Sequence, residues 1–256
     1  MPVENKVVLS ANEGNIKRIT LNRPEKRNAL NDEVIAGIKE ALREADGHER
    51  TRAIVITGSG KDFCSGADLS ALERISEGSV AENLQDARSL VELFLLVRRF
   101  RVPVVAAVRG RALAGGCGLA SACDIVLASN SARFGYPEVK IGFVPAIVMA
   151  ILLRSVSEKR AFELVTRGEE IGAEEAKQIG LVNRVFKDET FDEEVTAYVH
   201  HFEKTSKSAV SLTKSLLYQI DGLAFLEALE AGADVNVIAR MSDDCRQGIA
   251  RFLQKH

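Results

Sequence analysis

The sequence contains few of the residues from which metal sites and covalent nucleophiles are built. It has four cysteines, none in a Cys-x-x-Cys pair, and four histidines, none inside its glycine-rich segments. A zinc site needs closely spaced cysteine or histidine ligands, and a Ser-His-Asp or Cys-His nucleophile needs an adjacent histidine. The sequence therefore argues against both kinds of site. We expect the cysteines to be small apolar core residues; they are Cys64, Cys117, Cys123 and Cys245.

An excess of charge of either sign is also missing, and so are long apolar runs. The 34 basic and 36 acidic residues give a net charge of −2, which offers no basic surface to nucleic acid or an anionic membrane. Apolar stretches such as residues 146–153 are far shorter than the roughly 18 residues that cross a bilayer. Residues 1–9 lack the charged-then-apolar pattern of a signal peptide. We therefore expect a cytoplasmic protein, or the mature form of an organellar one, without nucleic-acid or membrane partners.

The pattern of apolar residues indicates an α/β protein. Strand-like and helix-like segments alternate through about the first 190 residues, and only helical patterns follow. We predict a core domain over residues 1–190 and a helical region over residues 191–256. The predicted strands cover residues 7–9, 16–21, 53–57, 102–108, 125–128, 139–142 and 182–186. The predicted helices of the core cover residues 31–45, 69–100 with a break at 76–79, 119–124, 146–153, 159–166 and 173–179.

Two glycine-bearing segments and one glutamate carry the functional signal. The first segment is Phe-Cys-Ser-Gly-Ala-Asp-Leu at residues 63–69, and the second is Ala-Gly-Gly-Cys-Gly-Leu-Ala at residues 114–120. Each lies where a strand gives way to a helix, and N–H groups at helix starts are free to bind an anion. Two such groups could hold one carbonyl oxygen as it becomes an enolate. Glu138, which follows Phe-Gly-Tyr-Pro, could move the proton, so the combination indicates chemistry beside a thioester.

With these segments in order, the chain resembles the enoyl-CoA hydratase/isomerase family, also called the crotonase superfamily. The resemblance runs from Asn-Arg-Pro at residues 22–24 to Lys255, and it includes Pro-Val-Val-Ala-Ala-Val at 103–108, Cys-Asp at 123–124 and Gly-Leu-Val at 180–182. It implies a crotonase-like spiral of ββα repeats followed by a C-terminal all-helical trimerisation region. It also implies an acyl-CoA thioester substrate. Neither a metal nor a separate cofactor is then expected, because the thioester carbonyl itself accepts the electron pair.

The resemblance assigns roles to individual residues. The N–H groups of Ala67 and Gly115 match the two oxyanion-hole donors, and Glu138 matches a catalytic acid/base. The adenine end of CoA is expected at the loop after Asn-Arg-Pro and at the backbone before the glycine of the first segment. A lysine near the C-terminus often approaches the CoA phosphate. The implied CoA- and substrate-binding residues are Lys26, Arg27, Asn28, Ala29, Ser65, Asp68, Leu69, Gly118 and Lys255.

Gly118 departs from the family pattern. Hydratases of the family carry a second glutamate at this position, so the chain keeps only Glu138 of the two carboxylates. One carboxylate is enough to remove an α-proton and return it elsewhere. Hydration is the leading hypothesis, while double-bond isomerisation and a hydratase-lyase reaction on aryl-enoyl thioesters stay open. An alternative of another class is a non-catalytic acyl-CoA- or RNA-binding relative that keeps the fold.

Some residues also have a structural interpretation. Asp68 is expected to cap the helix that follows it, and Asp124 is expected to be structural. The basic cluster at residues 98–101 is predicted to be a solvated helix end, with a contact to CoA phosphates as the alternative. The apolar run at residues 144–150 fits an acyl pocket and ordinary core packing equally well.

The terminal helices carry more apolar residues than a lone appendage should expose. These residues are Leu226, Leu229, Val235, Val237, Ile238, Ile249 and Phe252. We therefore predict a closed homo-oligomer, and the resemblance implies a trimer or a dimer of trimers.

Overall fold

Two sheets organise the first part of the chain in the computed structural model, which describes residues 6–254. In chain order, the strands are β1 Val8–Glu13, β2 Ile16–Leu21, β3 Ala53–Gly58, β4 Val104–Val108, β5 Arg111–Leu113, β6 Ile125–Ser129, β7 Arg133–Gly135, β8 Glu170–Gly172 and β9 Arg184–Phe186. The larger sheet has the order β1-β2-β3-β4-β6-β9, and the smaller has the order β5-β7-β8. β1 and β2 form an antiparallel hairpin, and the later strands of the larger sheet pair in parallel.

Helices fill five of the eight connections between the strands and make up the last part of the described chain. They are α1 Asp32–Asp46, α2 Leu69–Glu77, α3 Val80–Arg99, α4 Gly115–Ala122, α5 Ala146–Leu152, α6 Glu158–Arg167, α7 Ala173–Gln178, α8 Phe191–His200, α9 Lys207–Gln219, α10 Phe225–Met241 and α11 Asp243–Leu253. The α/β class and the presence of C-terminal helices are therefore confirmed. Within the described residues, no helix is both long and apolar enough to cross a membrane.

The central parallel strand β4 is apolar and buried along its whole length, and its neighbours β3 and β6 are nearly so, because both faces of the sheet are covered there. Ile54 and Ile56 of β3 face the main core, which also contains the buried sides of α1 and α3. Val55 faces the opposite side, where Phe191 and Val195 of α8 contribute to a second core. β3 and β4 thus lie side by side and run in parallel, so the chain leaves both strands at the same edge of the sheet.

The sequence did not predict the smaller sheet. Its three strands have three residues each, too few for an alternating pattern to be recognised. β5 and β7 nevertheless hold the approaches to the second glycine segment and to Glu138 side by side, in parallel register from Arg111 with Arg133 to Leu113 with Gly135.

Side chains cap the helices that surround the glycine segments. Asn31 accepts a hydrogen bond from Val34 N at the start of α1, and Asp68 accepts one from Ser70 N at the start of α2. Ser79 and Glu82 form a capping box at the start of α3, which explains the predicted break after residue 76. The capping role predicted for Asp68 is confirmed.

The strand predicted at residues 139–142 is wrong. Residues Pro137–Ile141 form a 3-10 helix instead, because Pro137 at its first position fixes a helical φ and has no N–H to leave unpaired. Gly142 ends the helix with φ +74°, and its N–H lies within bonding range of the Val139 carbonyl. Glu138 therefore lies on a short 3-10 helix and not in a sheet.

A buried lysine ties the terminal helices to the core. Lys214 Nζ of α9 donates to Val97 O, to Val102 O and to Asp124 Oδ2, at 3.1, 3.0 and 2.7 Å. Asp124 Oδ1 accepts a hydrogen bond from Tyr218 Oη at 2.6 Å, and its Oδ2 also accepts one from Val104 N. Asp124 is therefore structural, as predicted, and its network fastens α9 against the start of β4.

Candidate functional site

The first glycine segment ends in a turn, residues 65–68, whose backbone directions are fixed by the preceding loop. Leu30 N donates to Gly66 O at 2.7 Å, and Asp68 N donates to Leu30 O at 2.9 Å. A peptide unit is planar, with its C=O and N–H pointing in opposite directions. Because Gly66 O points towards Leu30, the N–H of Ala67 in the same peptide must point away from it. In the described part of the chain, this N–H has no hydrogen-bond acceptor.

The second glycine segment begins α4 and supplies another free N–H. Ala114, just before the helix, has φ +49°, and its own N–H donates to Gly135 O of β7. The Ala114 carbonyl accepts from Gly118 N at 2.9 Å, which closes the first turn of the helix. The N–H of Gly115 lies at the first helical position, where no intrahelical acceptor exists. The structure records no other acceptor for it among residues 6–254.

The two segments are in direct contact, and glycine allows it. A Cβ on Gly116 would lie 2.4 Å from Cys64 O, and a Cβ on Gly66 would lie 2.8 Å from the Cβ of Ala114. Gly66 also has φ +98°, which side chains rarely permit. Leu113 N donates to Cys64 O at 2.9 Å, so the backbone itself joins the segments. The predicted donors, Ala67 and Gly115, are thereby brought to one place.

Glu138 presents a half-buried carboxylate with few hydrogen-bond partners. Its Oε2 is buried and makes no hydrogen bond within the described chain. Burial raises the pKa of this carboxyl above its ordinary value of 4.5. The carboxylate is near enough to Cys117 of α4 and to Tyr136 to raise the pKa of both groups, although burial is the larger cause in each. A carboxyl with a raised pKa and a buried oxygen free of hydrogen bonds within the described chain is suited to exchanging protons with a bound molecule.

The space beside Gly118 is occupied by side chains of neighbouring helices. A Cβ on Gly118 would lie 2.2 Å from Val148 Cγ1 of α5 and 3.1 Å from Phe94 Cζ of α3. There is consequently no room for a glutamate side chain at this position unless Val148 moves. Val148 and Phe94 are themselves buried. The space that would hold a second carboxylate is thus an apolar wall.

The predicted CoA-binding loop divides into exposed and buried residues. Lys26 and Arg27 are exposed at the end of the 3-10 helix Pro24–Lys26, while Asn28 and Ala29 are buried. Asn28 Nδ2 donates to Ser59 O and Asp62 O, so this side chain holds the loop rather than facing solvent. Ser65 N donates to Arg27 O at 3.1 Å, which joins the loop to the first glycine segment.

Three further predicted residues differ in their surroundings. Leu69 is 77% exposed at the start of α2. Asp68 is buried, and its side chain contacts Ser70 and Arg23. Lys255 lies outside the described residues.

Sequence reasoning missed two residues that shape the site. Arg23 Nη2 lies 2.6 Å from Asp68 Oδ2, and Arg23 Nη1 donates to Ala29 O at 3.0 Å. Leu30 fixes the Ala67 turn through its backbone alone. Arg23 belongs to the Asn-Arg-Pro motif, but no local pattern in the sequence indicates that Asp68 is its partner. Leu30 gives no signal because its backbone, and not its side chain, makes the hydrogen bonds to Gly66 and Asp68.

The basic cluster at the end of α3 makes contacts within the protein. The Arg98 guanidinium lies 4.1 Å from the ring centroid of Tyr218. Arg101 pairs with Asp46 at 2.8 Å and donates to the carbonyl of His48. These contacts favour the helix-end interpretation over a contact to CoA phosphates.

No metal centre accompanies these groups in residues 6–254, where no three His, Cys, Asp or Glu side chains are close enough to hold an ion. Cys64, Cys117 and Cys123 are buried as predicted, whereas Cys245 is partly exposed.

Comparisons with known proteins give one consistent result. Residues 11–256 match the family model described as Enoyl-CoA hydratase/isomerase. A Thermus thermophilus protein named "Putative enoyl-CoA hydratase" is 40% identical over 97% of this chain and 98% of its own. The 2,3-dehydroadipyl-CoA hydratase of Escherichia coli is 35% identical over 93% of this chain and 91% of its own. The crystal structure of an enoyl-CoA hydratase from Mycobacterium smegmatis superposes with a TM-score of 0.93 at 32% identity, covering 98% of this chain and 97% of the other.

Proposed function

The chain belongs to the enoyl-CoA hydratase/isomerase family, and from that premise we propose that it acts on an enoyl-CoA thioester through an enolate, with Glu138 as its single acid/base. The observation that carries this proposal is the meeting of two backbone N–H groups, those of Ala67 and Gly115, that have no acceptor within residues 6–254, beside a half-buried carboxylate whose Oε2 has no hydrogen-bond partner there. A non-catalytic relative would have no need to keep all three together.

The two N–H groups are proposed to bind the thioester carbonyl oxygen. Negative charge grows on this oxygen as an enolate forms, so a donor fixed in place before the reaction stabilises the transition state more than the ground state. Loss of one such donor typically costs about 3 kcal/mol of transition-state stabilisation. The exposed Lys26 and Arg27, and the backbone near Ser65, are proposed to contact the CoA portion.

In hydration, Glu138 is proposed to take a proton from water as the oxygen attacks C3 of a 2-enoyl thioester. The electron pair of the double bond moves onto the thioester carbonyl, and the enolate is held by Ala67 and Gly115. Glu138 then returns the proton to C2, which gives a 3-hydroxyacyl thioester. Hydration is the first candidate because the relatives described above are named hydratases.

Isomerisation is the second candidate, and the filled space at Gly118 favours it. Val148 and Phe94 leave no room for a second water-activating carboxylate. Glu138 alone could remove a proton from C2 of a 3-enoyl thioester and return it to C4, moving the double bond to C2–C3. A hydratase-lyase acting on aryl-enoyl thioesters is consistent with the same single carboxylate.

Isotope labelling separates these reactions. The protein is incubated with a 2-enoyl-CoA and, separately, a 3-enoyl-CoA in heavy-oxygen water, and the products are analysed by mass spectrometry. Heavy oxygen at C3 indicates hydration, and conversion of the 3-enoyl thioester without oxygen uptake indicates isomerisation. Glu138→Gln should abolish either reaction, while Glu40→Gln, an exposed acid on α1, should not. Unchanged turnover by Glu138→Gln, or CoA binding without turnover of any enoyl thioester by the native protein, contradicts the proposal.

We also propose that the protein forms a closed homo-oligomer through its terminal helices. Neither α10 nor α11 buries a single side chain within the described protomer, although Phe225 is 81% exposed and Leu229 is 56% exposed. Apolar helices of this length normally cover such a face with a partner. Sedimentation at micromolar concentration should give a trimer or a dimer of trimers, and Leu229→Glu should shift it towards monomer. A monomeric native protein contradicts the proposal.

A further inference from the structure

We propose that the buried ion pair between Arg23 and Asp68 positions the Ala67 N–H for the reaction and neutralises the carboxylate next to it. This inference rests on the proposed function, because it assumes that the Ala67 N–H holds a developing oxyanion. Asp68 would then be a positioning residue, in addition to its capping of α2.

The geometry joins two loops on either side of Ala67. Ser65 N donates to Arg27 O, Leu30 N to Gly66 O, and Asp68 N to Leu30 O. These bonds fix the backbone before and after Ala67, and the ion pair adds the only side-chain link recorded between Asp68 and the loop that carries the Asn-Arg-Pro motif in residues 6–254. A shift in that loop would therefore rotate the Gly66–Ala67 peptide plane and turn the donor away from its target.

Arg23 is held in place from three sides. Its backbone N–H donates to Asn28 Oδ1 at 2.8 Å, and its Nη1 donates to Ala29 O at 3.0 Å. Its Nη2 lies 2.6 Å from Asp68 Oδ2. The side chain of Arg23 is only 15% exposed and that of Asp68 only 7% exposed, so the pair is shielded from bulk water and its strength depends little on salt.

The charge of Asp68 makes the pairing necessary. Burial by itself would raise the pKa of this carboxyl, but hydrogen bonds from Arg23 and Ser70 outweigh burial and lower the pKa. Asp68 is therefore ionised. A negative charge one residue from Ala67 opposes the negative charge that the Ala67 N–H is meant to stabilise, since like charges in a poorly solvated place repel. The Arg23 guanidinium cancels that charge.

One substitution separates capping from positioning. Asparagine caps helices about as well as aspartate, so Asp68→Asn keeps the bond from Ser70 N but removes the charge that pairs with Arg23. If Asp68 only caps α2, Asp68→Asn should be nearly silent. If the pair positions Ala67, the reaction should suffer while CoA binding does not. Ser79→Ala, which removes the cap of α3 away from this turn, is the matched control for the loss of a cap.

The test measures turnover, binding and a spectrum for the full-length protein. The variants are Asp68→Asn, Arg23→Gln, their combination, and Ser79→Ala. Free CoA is used to measure binding, and acetoacetyl-CoA, a thioester whose enolate absorbs in the near ultraviolet, reports how strongly the site stabilises an enolate without any turnover. Thermal unfolding of each variant shows that it is folded at the assay temperature.

We expect kcat to fall about tenfold to a hundredfold in Asp68→Asn and in Arg23→Gln, because small misplacements of a donor are costly. The apparent pKa of bound acetoacetyl-CoA should rise more in Arg23→Gln, which also leaves the Asp68 charge uncompensated, than in Asp68→Asn, which leaves the Arg23 charge in place. The Kd for CoA should change less than about threefold in both. The combined variant should be no worse than the poorer single variant, since both remove the same pair. Ser79→Ala should lose stability and keep its kcat.

Two results would overturn the inference in different ways. If the native protein turns over enoyl-CoA or stabilises the acetoacetyl-CoA enolate, and Asp68→Asn does so equally well, the positioning role is wrong and the proposed function stands. If the native protein does neither, the proposed function fails and the inference fails with it.

Discussion

Gly118 provides a quantitative test of the apolar wall beside the proposed active site. In the interior of a helix, replacing glycine by alanine normally stabilises a protein by about 0.5–1 kcal/mol, because glycine loses more backbone entropy on folding. At position 118, the new Cβ would lie 2.2 Å from Val148 Cγ1. Carbon atoms in contact prefer about 3.5–4.0 Å, so Val148 or α4 must move by roughly 1 Å.

The cost of that movement should exceed the gain in helix propensity. Overpacking a well-packed core typically costs about 1–3 kcal/mol. After the propensity gain is subtracted, Gly118→Ala should lower the free energy of unfolding by about 1–2 kcal/mol. In a Val148→Ala background the closest obstructing atom is gone and only the contacts of 3.1 Å to Phe94 Cζ and 3.2 Å to Cβ of residue 148 remain, so the same change should be nearly neutral. The two substitutions should therefore be coupled by about 1–3 kcal/mol.

Urea denaturation at one fixed protein concentration measures these four free energies. Gly232→Ala on α10 is the matched control, because within the described protomer nothing lies within 4 Å of the Cβ it would add, and it should stabilise the protein. If Gly118→Ala stabilises the protein whether residue 148 is valine or alanine, the space beside Gly118 is not filled. Position 118 would then have room for a carboxylate side chain.

The remaining predictions concern single groups. Because burial raises the pKa of Glu138, the folded state binds the carboxyl proton more tightly than the unfolded state does. The stability contributed by the protonated carboxyl is therefore lost as the pH rises through the folded-state pKa. Glu138→Gln should thus raise the Tm at pH 8 but not at pH 4, and an equal Tm difference at the two pH values contradicts this. The kcat/KM of the native protein should fall as the pH is lowered and the Glu138 carboxylate is protonated. Lys214→Met should cost about 3–5 kcal/mol in urea unfolding by leaving the mostly buried Asp124 carboxylate without its counter-ion, and a loss below about 1 kcal/mol would contradict the proposed link between α9 and the core. A maleimide should label only Cys245 in the native protein, because burial raises the pKa of the Cys64 thiol to about 12 and that of Cys117 to about 11; mass spectrometry of tryptic peptides checks this.

Local patterns predicted those parts of the fold that depend on neighbours in sequence. Asn31 and Asp68 were recognisable as caps because a capping side chain acts within three residues of its own position. The buried strands were recognisable because a parallel sheet covered on both faces demands continuous apolar runs. The 3-10 helix at Glu138 was mistaken for a strand because its apolar residues, Val139 and Ile141, alternate with Lys140 as they would in a strand.

Long-range contacts decided the rest of the candidate site. The sequence indicated that position 118 lacks a carboxylate, but only the structure shows that Val148 from α5 and Phe94 from α3 occupy the space. The pairing of Arg23 with Asp68 depends on how two loops from different strands meet. No spacing or composition within either loop encodes that meeting.

The bonds that aim the two N–H groups also change how strongly those groups can donate. Each donor shares its peptide unit with a carbonyl that is already engaged: Gly66 O accepts from Leu30 N at 2.7 Å, and Ala114 O accepts from Gly118 N at 2.9 Å. A hydrogen bond at one end of a peptide draws electron density towards the oxygen and leaves the N–H at the other end more positive, an effect of about 10–30% per bond. The donors of Ala67 and Gly115 are therefore polarised by folding itself, before any thioester arrives.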